Sequence, residues 1–426
     1  MDCFEIKGGS RLEGEIEVHS AKNSVLPILA GAVLINGETV IHNCPELSDV
    51  KVTVDILKSL GAKVKKENKT LIIDAQNINC SEISCDMMRS LRSSILFLGA
   101  LLSRMKEAKL SFPGGCDIGL RPIDLHLYAI ETLGYSCKIS QSGIECFNKG
   151  AKSADIYLDF PSVGATENAI LSSVFLSGKT KIINAAREPE IEDLINFLNE
   201  AGADIRIVSP SVIEINGVQN LYSCSHRVIP DRIEAVTFMC CAAITSGDLL
   251  IKNVNLSHIK PNLPQFYEMG CKLTAGENSI RIKAPKKLKR VREIQTGAYP
   301  LFPTDTQSII TSPLCLADGK SKIIENIFEN RFKHIGELKK FGADIICSDS
   351  RVAVISGVEK LHSAKANCTD LRGGAAVLIA SLAAEGTSLI NNIHHIDRGY
   401  ERIEESLNSI GADITRIKNE EQEEKN

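Results

Sequence analysis

The stretch EAGADIRIVSPSVIEING, Glu200 to Gly217, decides how this chain folds. Gly202 follows an amphipathic run, and a glycine there ends a helix by taking the left-handed conformation. After it, Ala203-Asp204-Ile205-Arg206-Ile207 and Val212-Ile213-Glu214-Ile215 alternate apolar and polar residues, the pattern of two half-buried strands in a hairpin. The same helix end recurs as SLGAKV (Ser59 to Val64), TLGYSC (Thr132 to Cys137), EMGCKL (Glu268 to Leu273), KFGADI (Lys340 to Ile345) and SIGADI (Ser409 to Ile414). The glycines stand at 61, 134, 202, 270, 342 and 411, so their spacing is 73, 68, 68, 72 and 69 residues. Six units of about 70 residues, each mixing helix and strand in a fixed order, therefore account for nearly the whole chain.

A second marker, Gly-x-x-x-apolar-x-Asn, precedes the helix in most units. It runs from Gly37 to Asn43, Gly178 to Asn184, Gly247 to Asn253 and Gly386 to Asn392, with one extra residue from Gly319 to Asn326. The second unit breaks it. There the chain reads KLSFPGGCDIGLRPIDLH, Lys109 to His126, whose glycines, proline, Cys116, Arg121 and Asp124 suit a mobile segment that closes over something. Departures from a repeat are where function is grafted.

With 426 residues, 43% hydrophobic and 24% charged, the chain exceeds one core at about 100 to 200 residues per domain, and two or more domains are expected. The net charge of −4 lacks the basic surplus of a nucleic-acid binder. The longest apolar run, Ile95 to Leu102, is far short of the about 20 residues that span a bilayer, and Met1-Asp2-Cys3-Phe4 does not open like a signal peptide. A soluble cytoplasmic protein is the expectation. The 14 cysteines contain no CxxC pair, and apart from Cys116 they are expected to be mostly buried, reduced thiols. Neither GxGxxG nor a P-loop is present, which argues against those nucleotide folds.

Nine segments, in order, carry a family resemblance: SAKNSVLPIL (Ser20 to Leu29), PGGCDIGLRPIDLH (Pro113 to His126), SVGATEN (Ser162 to Asn168), NAAREPEI (Asn184 to Ile191), PDRIEA (Pro230 to Ala235), FPTDTQ (Phe302 to Gln307), IFENRFKH (Ile327 to His334), TDLRGG (Thr369 to Gly374) and HIDRGYERIE (His395 to Glu404). With them the chain resembles the enolpyruvyl transferases, and among these the branch whose acceptor is UDP-N-acetylglucosamine. The resemblance implies a two-domain inside-out α/β barrel with three repeats per domain, helices central and strands outside. The first domain is expected over residues 22–229, and the second over 1–21 and 230–426, with the active site between them. It further implies transfer of the enolpyruvyl group of phosphoenolpyruvate to the sugar 3-hydroxyl, with release of phosphate. No cofactor and no metal are implied, and the oligomeric state is left open, a monomer included.

Such chemistry needs cations for a phosphate and a carboxylate, an acid for the methylene carbon and a base near the hydroxyl. By resemblance, phosphoenolpyruvate falls to Lys22, Asn23, Arg121, Arg331, Arg372 and Arg398; an Arg fork suits carboxylate and phosphate. Read from the residues alone, each cation is equally a surface or helix-end charge, and Ser20 and Asn23 are equally helix caps. Cys116 is the candidate acid, since the Arg121 cation can lower a thiol pKa, and it is a candidate for covalent addition or product release as well. Asp305 is the candidate base. It also suits the cap of a helix beginning near Thr306, with Asp370 a possible neighbouring carboxylate. The UDP-sugar is assigned by resemblance to Arg92, Arg121, Pro122, Ile123, Asp124, Leu125, Ser162, Val163, Gly164, Asp305 and Ile327, with Gly164 allowing a close approach of the main chain. Phe160 replaces a Lys found in some relatives, leaving an aromatic face to stack or pack. His394-His395 reads as a strand-end pair, and Glu188-Pro189-Glu190 as a turn opening a helix.

Two other readings compete. One is 5-enolpyruvylshikimate-3-phosphate synthase, against which stand Cys116 and SAKN. The other is a catalytically silent repeat scaffold, which would not need Lys22, Cys116, Arg121, Asp305 and Arg398 together.

Overall fold

The computed structural model describes residues 2–114 and 123–418, which form two compact units. One, the inserted unit, is made of residues 20–114 and 123–229; the other, the flanking unit, is made of residues 2–19 and 230–418.

Each unit carries three four-stranded sheets of one design. In the sheet holding Glu200 to Gly217, the short strand Asp155–Tyr157 runs parallel to Lys179–Ile183, which pairs antiparallel with Val212–Asn216, itself antiparallel to Asp204–Ser209. Ile205, Ile213 and Ile215 are buried as the alternation predicts, but Ile207, expected on the same face, is 49% exposed, next to a bulge between Ile207 and Ser209. Three sheets are completed by strands from far along the chain, one of them by Glu13–Glu17, which runs parallel to Asp248–Lys252. Cys224–Arg227 joins Glu38–His42 to close the inserted unit. In the flanking unit Cys3–Lys7 lies between Thr387–Asn391 and Ile414–Ile417, taking the place of a hairpin's second strand.

The helices Lys22–Gly31, Phe97–Met105 and Val163–Ser173 are buried on nearly all sides and form the centre of the inserted unit. Arg232–Ile244, Thr304–Leu314 and Leu371–Ala383 do the same in the flanking unit. These helices are buried all round, polar residues such as Thr166, Asn168, Ser308 and Thr311 included, whereas Ser48–Ser59 and Pro189–Glu200, with one buried face each, cover them. The arrangement is the inside-out one: helices within, sheets outside. The run Ile95 to Leu102 lies on a central helix, and no helix among the described residues is long and apolar enough to cross a membrane.

The six glycines that punctuate the repeat all have positive φ, between 88° and 106°. The Asn marker has the same cause: Asn43, Asn184, Asn253 and Asn392 sit at φ of 56° to 58°, directly after their strands. Asn184 and Asn253 also donate to the carbonyls of Leu158 and Val18, at the end of the neighbouring parallel strand.

Three sequence expectations are corrected. Cys137 and Cys146 are not free thiols but a disulfide, because the hairpin register places them directly opposite each other with Cα atoms 4.1 Å apart. Nor are the thiols uniformly buried: Cys3 and Cys224 on strands, Cys80 between elements and Cys85 at the start of a short helix are half-buried, and Cys347 on a strand is exposed. The capping roles also shift. The cap of Lys22–Gly31 is Ala21, and Thr304–Leu314 starts one residue before Asp305, so neither Ser20, Asn23 nor Asp305 caps a helix.

Candidate active site

In the flanking unit, Pro303 fixes the chain at the start of Thr304–Leu314 and puts Asp305 in its first turn, where the helix dipole favours a carboxylate. Arg331, only 2% exposed, reaches this turn. Its Nη2 donates to Asp305 Oδ1 at 2.8 Å, and Nε and Nη2 both donate to the Thr304 carbonyl at 3.2 Å. Its Nη1 lies 4.0 Å from Asp370 Oδ1. Asp370 caps Leu371–Ala383, accepting from the amides of Arg372 and Gly373. Burial pushes its carboxyl up, but the Arg331 charge, these amides and His334 outweigh that and hold it below the ordinary range.

Arg372 is the second buried guanidinium. Its Nη1 donates to Tyr400 Oη at 3.2 Å, and its Nε is 4.0 Å from Asp305 Oδ1. Burial disfavours its charge, yet Tyr400, Asp305 and Asp231 raise its pKa, so it stays cationic. Asp305, Arg331 and Arg372 are thus gathered as the sequence suggested, with Asp370 tied to the same arginine rather than to Asp305. His334, fully buried, is driven down to about 4 and is neutral at pH 7; its Nδ1 donates to the Arg331 carbonyl at 3.1 Å. Arg398 is half-buried in the segment after Ile393–His395, a 3-10 turn rather than a strand end, and its charge helps keep His395 below the ordinary histidine range, after burial and His394.

Ile327 is placed by a residue the sequence reading overlooked. Glu325 is completely buried and accepts from the hydroxyls of Thr296 (2.9 Å) and Thr304 (3.0 Å) and from the amides of Ile327 (2.8 Å) and Phe328 (3.1 Å). It joins the Ile327 loop to the helix turn bearing Asp305. A signal existed: Glu325 is the extra residue between strand Lys320–Ile324 and Asn326, where other units put Asn directly after the strand. Tyr400, which holds Arg372, and Asp49 were also overlooked, and no sequence pattern marks Asp49.

In the inserted unit, Lys22 opens a central helix, is 8% exposed, and donates to Asp49 Oδ2 at 2.7 Å. Asn23 beside it is half-buried. Ser162 caps Val163–Ser173, its Oγ accepting from the Ala165 amide at 3.4 Å. Gly164 lies against His126, whose Cε1 would be 2.8 Å from any Cβ at position 164. Burial and the nearby Arg92 charge drive His126 down to about 3, so it is neutral; its Nδ1 accepts from Asn168 Nδ2 at 2.7 Å. Asn168 Nδ2 also donates to the Ile95 carbonyl, and its Oδ1 accepts from Gly99 N, which locks the ring to the helix that follows Arg92. Ile123 and Leu125 are half-buried, Asp124 begins Asp124–Thr132 and is exposed, and Phe160 is exposed. Cys116, Arg121 and Pro122 lie outside the described residues. The candidates are therefore divided: buried guanidinium groups and one carboxylate in the flanking unit, and Lys22, Arg92 and a helix start with its glycine in the inserted unit. The first group can bind and stabilise a compact anion, and the second can present amides to a phosphate.

Comparison with known proteins agrees with this chemistry. The family described as EPSP synthase (3-phosphoshikimate 1-carboxyvinyltransferase) matches residues 6–407. The chain is 49% identical over 417 residues, 98% of its own length and 100% of the relative's, to UDP-N-acetylglucosamine 1-carboxyvinyltransferase 2 of Caldanaerobacter subterraneus subsp. tengcongensis. It is 47% identical, over 98% and 100% of the two lengths, to UDP-N-acetylglucosamine 1-carboxyvinyltransferase 1 of Clostridium acetobutylicum. Among solved structures, the enolpyruvyl transferase NikO from Streptomyces tendae matches with a TM-score of 0.89 at 26% identity, covering 98% of this chain and 99% of that one. EPSP synthase from Acinetobacter baumannii matches with a TM-score of 0.76 at 17% identity, covering 98% and 100%, a likeness of fold alone.

Proposed function

This chain belongs to the EPSP synthase family of enolpyruvyl transferases, and we propose that it is the member that transfers the enolpyruvyl group of phosphoenolpyruvate to the 3-hydroxyl of UDP-N-acetylglucosamine, the first committed step of peptidoglycan synthesis. The products are UDP-N-acetyl-3-O-(1-carboxyvinyl)-glucosamine and phosphate. The observation that carries the reading is full-length identity of nearly one half to relatives named for this activity. The reaction takes place in the cytoplasm, where phosphoenolpyruvate is made.

In the addition step, the methylene carbon of phosphoenolpyruvate takes a proton while the sugar oxygen bonds to the adjacent carbon and loses its own proton. In the elimination step, the new methyl group gives up a proton and the C–O bond to phosphate breaks. Lys22, Asn23, Arg121, Arg331, Arg372 and Arg398 hold the phosphate and carboxylate, and their fixed positive charge stabilises the departing phosphate. Asp305 faces the sugar hydroxyl and takes its proton, and Cys116 supplies the proton to the methylene carbon, or adds across the double bond with its proton on the methylene carbon and its sulfur on the adjacent one. Arg331 serves both ligand and machinery, since its bond to Asp305 fixes the carboxylate. Arg92, Arg121 to Leu125, Ser162 to Gly164 and Ile327 hold the nucleotide sugar.

The test is phosphate release from phosphoenolpyruvate with UDP-N-acetylglucosamine, run beside shikimate 3-phosphate and beside Cys116→Ser. Release that needs the UDP-sugar and collapses in the variant is expected. Release with shikimate 3-phosphate would move the protein to another branch of the family, and release with neither acceptor would leave only a repeat scaffold.

A further inference from the structure

We infer that Arg416, on strand Ile414–Ile417, is a positioning residue for Arg398. Its guanidinium grips Asp397, the residue just before Arg398, through a two-pronged pair: Nη2 to Oδ1 at 2.7 Å and Nη1 to Oδ2 at 3.0 Å. The remaining edge grips Glu404, with Nε to Oε1 at 2.6 Å and Nη2 to Oε2 at 3.3 Å. Asp2 stands 3.8 Å from Nη1, and the face of the group lies 4.9 Å from the Phe4 ring centroid. The hydrogen bonds Arg416 donates to Asp397, with those to Glu404 and the charge of both carboxylates, outweigh burial and raise the Arg416 pKa, so the group stays charged at any working pH.

Asp397 and Glu404 bracket the segment that carries Arg398. That segment turns sharply, with Arg402 at φ 43°, and is held at its middle by Tyr400, whose hydroxyl meets Thr237 (2.9 Å) and Arg372 (3.2 Å). Gly399 and Tyr400 both donate to the Ile396 carbonyl. Arg372 therefore fixes the loop from the core side and Arg416 from the sheet side, with Arg398 between the two anchors. Replacing Arg416 with Lys would keep a charge but lose the fork that holds two carboxylates at once. Asp397 and Glu404 would then repel each other across the gap, and the Arg398 backbone would be the part released.

The inference rests on the proposed role of Arg398 in gripping phosphoenolpyruvate, and it separates from a merely structural role because the loss should fall on one substrate. Arg416→Lys is expected to raise KM for phosphoenolpyruvate about tenfold, leaving KM for UDP-N-acetylglucosamine within about twofold. Glu404→Gln, which leaves the Asp397 fork in place, should have a smaller effect in the same direction. In an Arg398→Ala background, Arg416→Lys should add nothing further to that KM. If Arg398→Ala itself leaves the phosphoenolpyruvate KM unchanged, the role of Arg398 fails and the inference with it. If Arg398→Ala acts as expected while Arg416→Lys moves both KM values equally, moves only the melting temperature, or adds its full effect in the Arg398→Ala background, the inference alone is overturned.

Discussion

The two units prepare their candidate residues in opposite ways. In the flanking unit Arg331, Arg372 and Asp370 are buried and already tied down: Arg331 to Asp305 and Thr304, Arg372 to Tyr400, Asp370 to two amides. In the inserted unit Lys22 is buried against Asp49 and Arg92 is half-buried, and beside them stand a capped helix start, a glycine and a neutral imidazole fitted to it. The contrast matches two kinds of ligand. A small, densely charged anion gains most from fixed cations that need no rearrangement, whereas a long nucleotide sugar is held by shape and main-chain groups.

The contrast breaks first if buried charge is dispensable. Arg331→Met should cost about 3 kcal/mol of stability, because it leaves Asp305 and the Thr304 carbonyl without their buried partner, and should lower kcat about 100-fold or more. Denaturant unfolding and phosphate release measure both; a variant within about 1 kcal/mol of the parent and still active would show that the ion pair organises nothing. On the other side, Gly164→Ala should raise KM for the UDP-sugar about tenfold with little change for phosphoenolpyruvate, since the new methyl group meets His126 at 2.8 Å and displaces the helix start. Gly164→Ala combined with His126→Ala should recover part of the loss, and an equal rise in both KM values would contradict the division of labour.

The smallest effect is one of pH, within the inserted unit. His226 lies between Asp193 (3.1 Å) and Glu200 (2.8 Å), and Asp193 also accepts from the Ser24 hydroxyl and the Ile229 amide. Burial disfavours its charged form, but hydrogen bonds and charge from Asp193, then Glu200, outweigh burial and raise its pKa. A raised folded-state pKa contributes stability that is complete below about pH 6.5 and is lost as pH rises through the folded value. Stability to denaturant should therefore decline modestly on the alkaline side of neutrality, and His226→Gln should flatten that slope; an unchanged slope in the variant would remove the histidine from the account.

Much of this was open to reading before any coordinates. The glycines at 61, 134, 202, 270, 342 and 411 announce helix ends because few other residues tolerate that backbone, and the Asn marker rests on the same conformational demand. Alternation in Ile205 to Ile215 gives the hairpins directly. Pairings across the chain leave no such trace. Nothing in the spacing of Cys137 and Cys146 reveals that they share a register position, and nothing local to Glu325 says that four donors from three segments will converge on it. The cap of the Asp305 helix falls on Pro303, two residues before the expected Asp305, because Pro303 and Thr304 both suit a helix start. The site residues themselves were legible only through resemblance, since a lone Arg or Cys has many ordinary roles.

The strand Cys3–Lys7, seated between Thr387–Asn391 and Ile414–Ile417, sets an order of events during synthesis. The inserted unit is complete once Arg227 has left the ribosome, as its last strand closes its first sheet. Cys3–Lys7 has no strand partner until Thr387–Asn391 has been made and lacks the second until Ile417 follows, carrying Phe4 and Ile6 in the meantime, both of which end with no solvent exposure at all. A strand made long before both of its partners is thus late to find its place, and the nascent chain has to shelter two large apolar side chains while the intervening sequence is made.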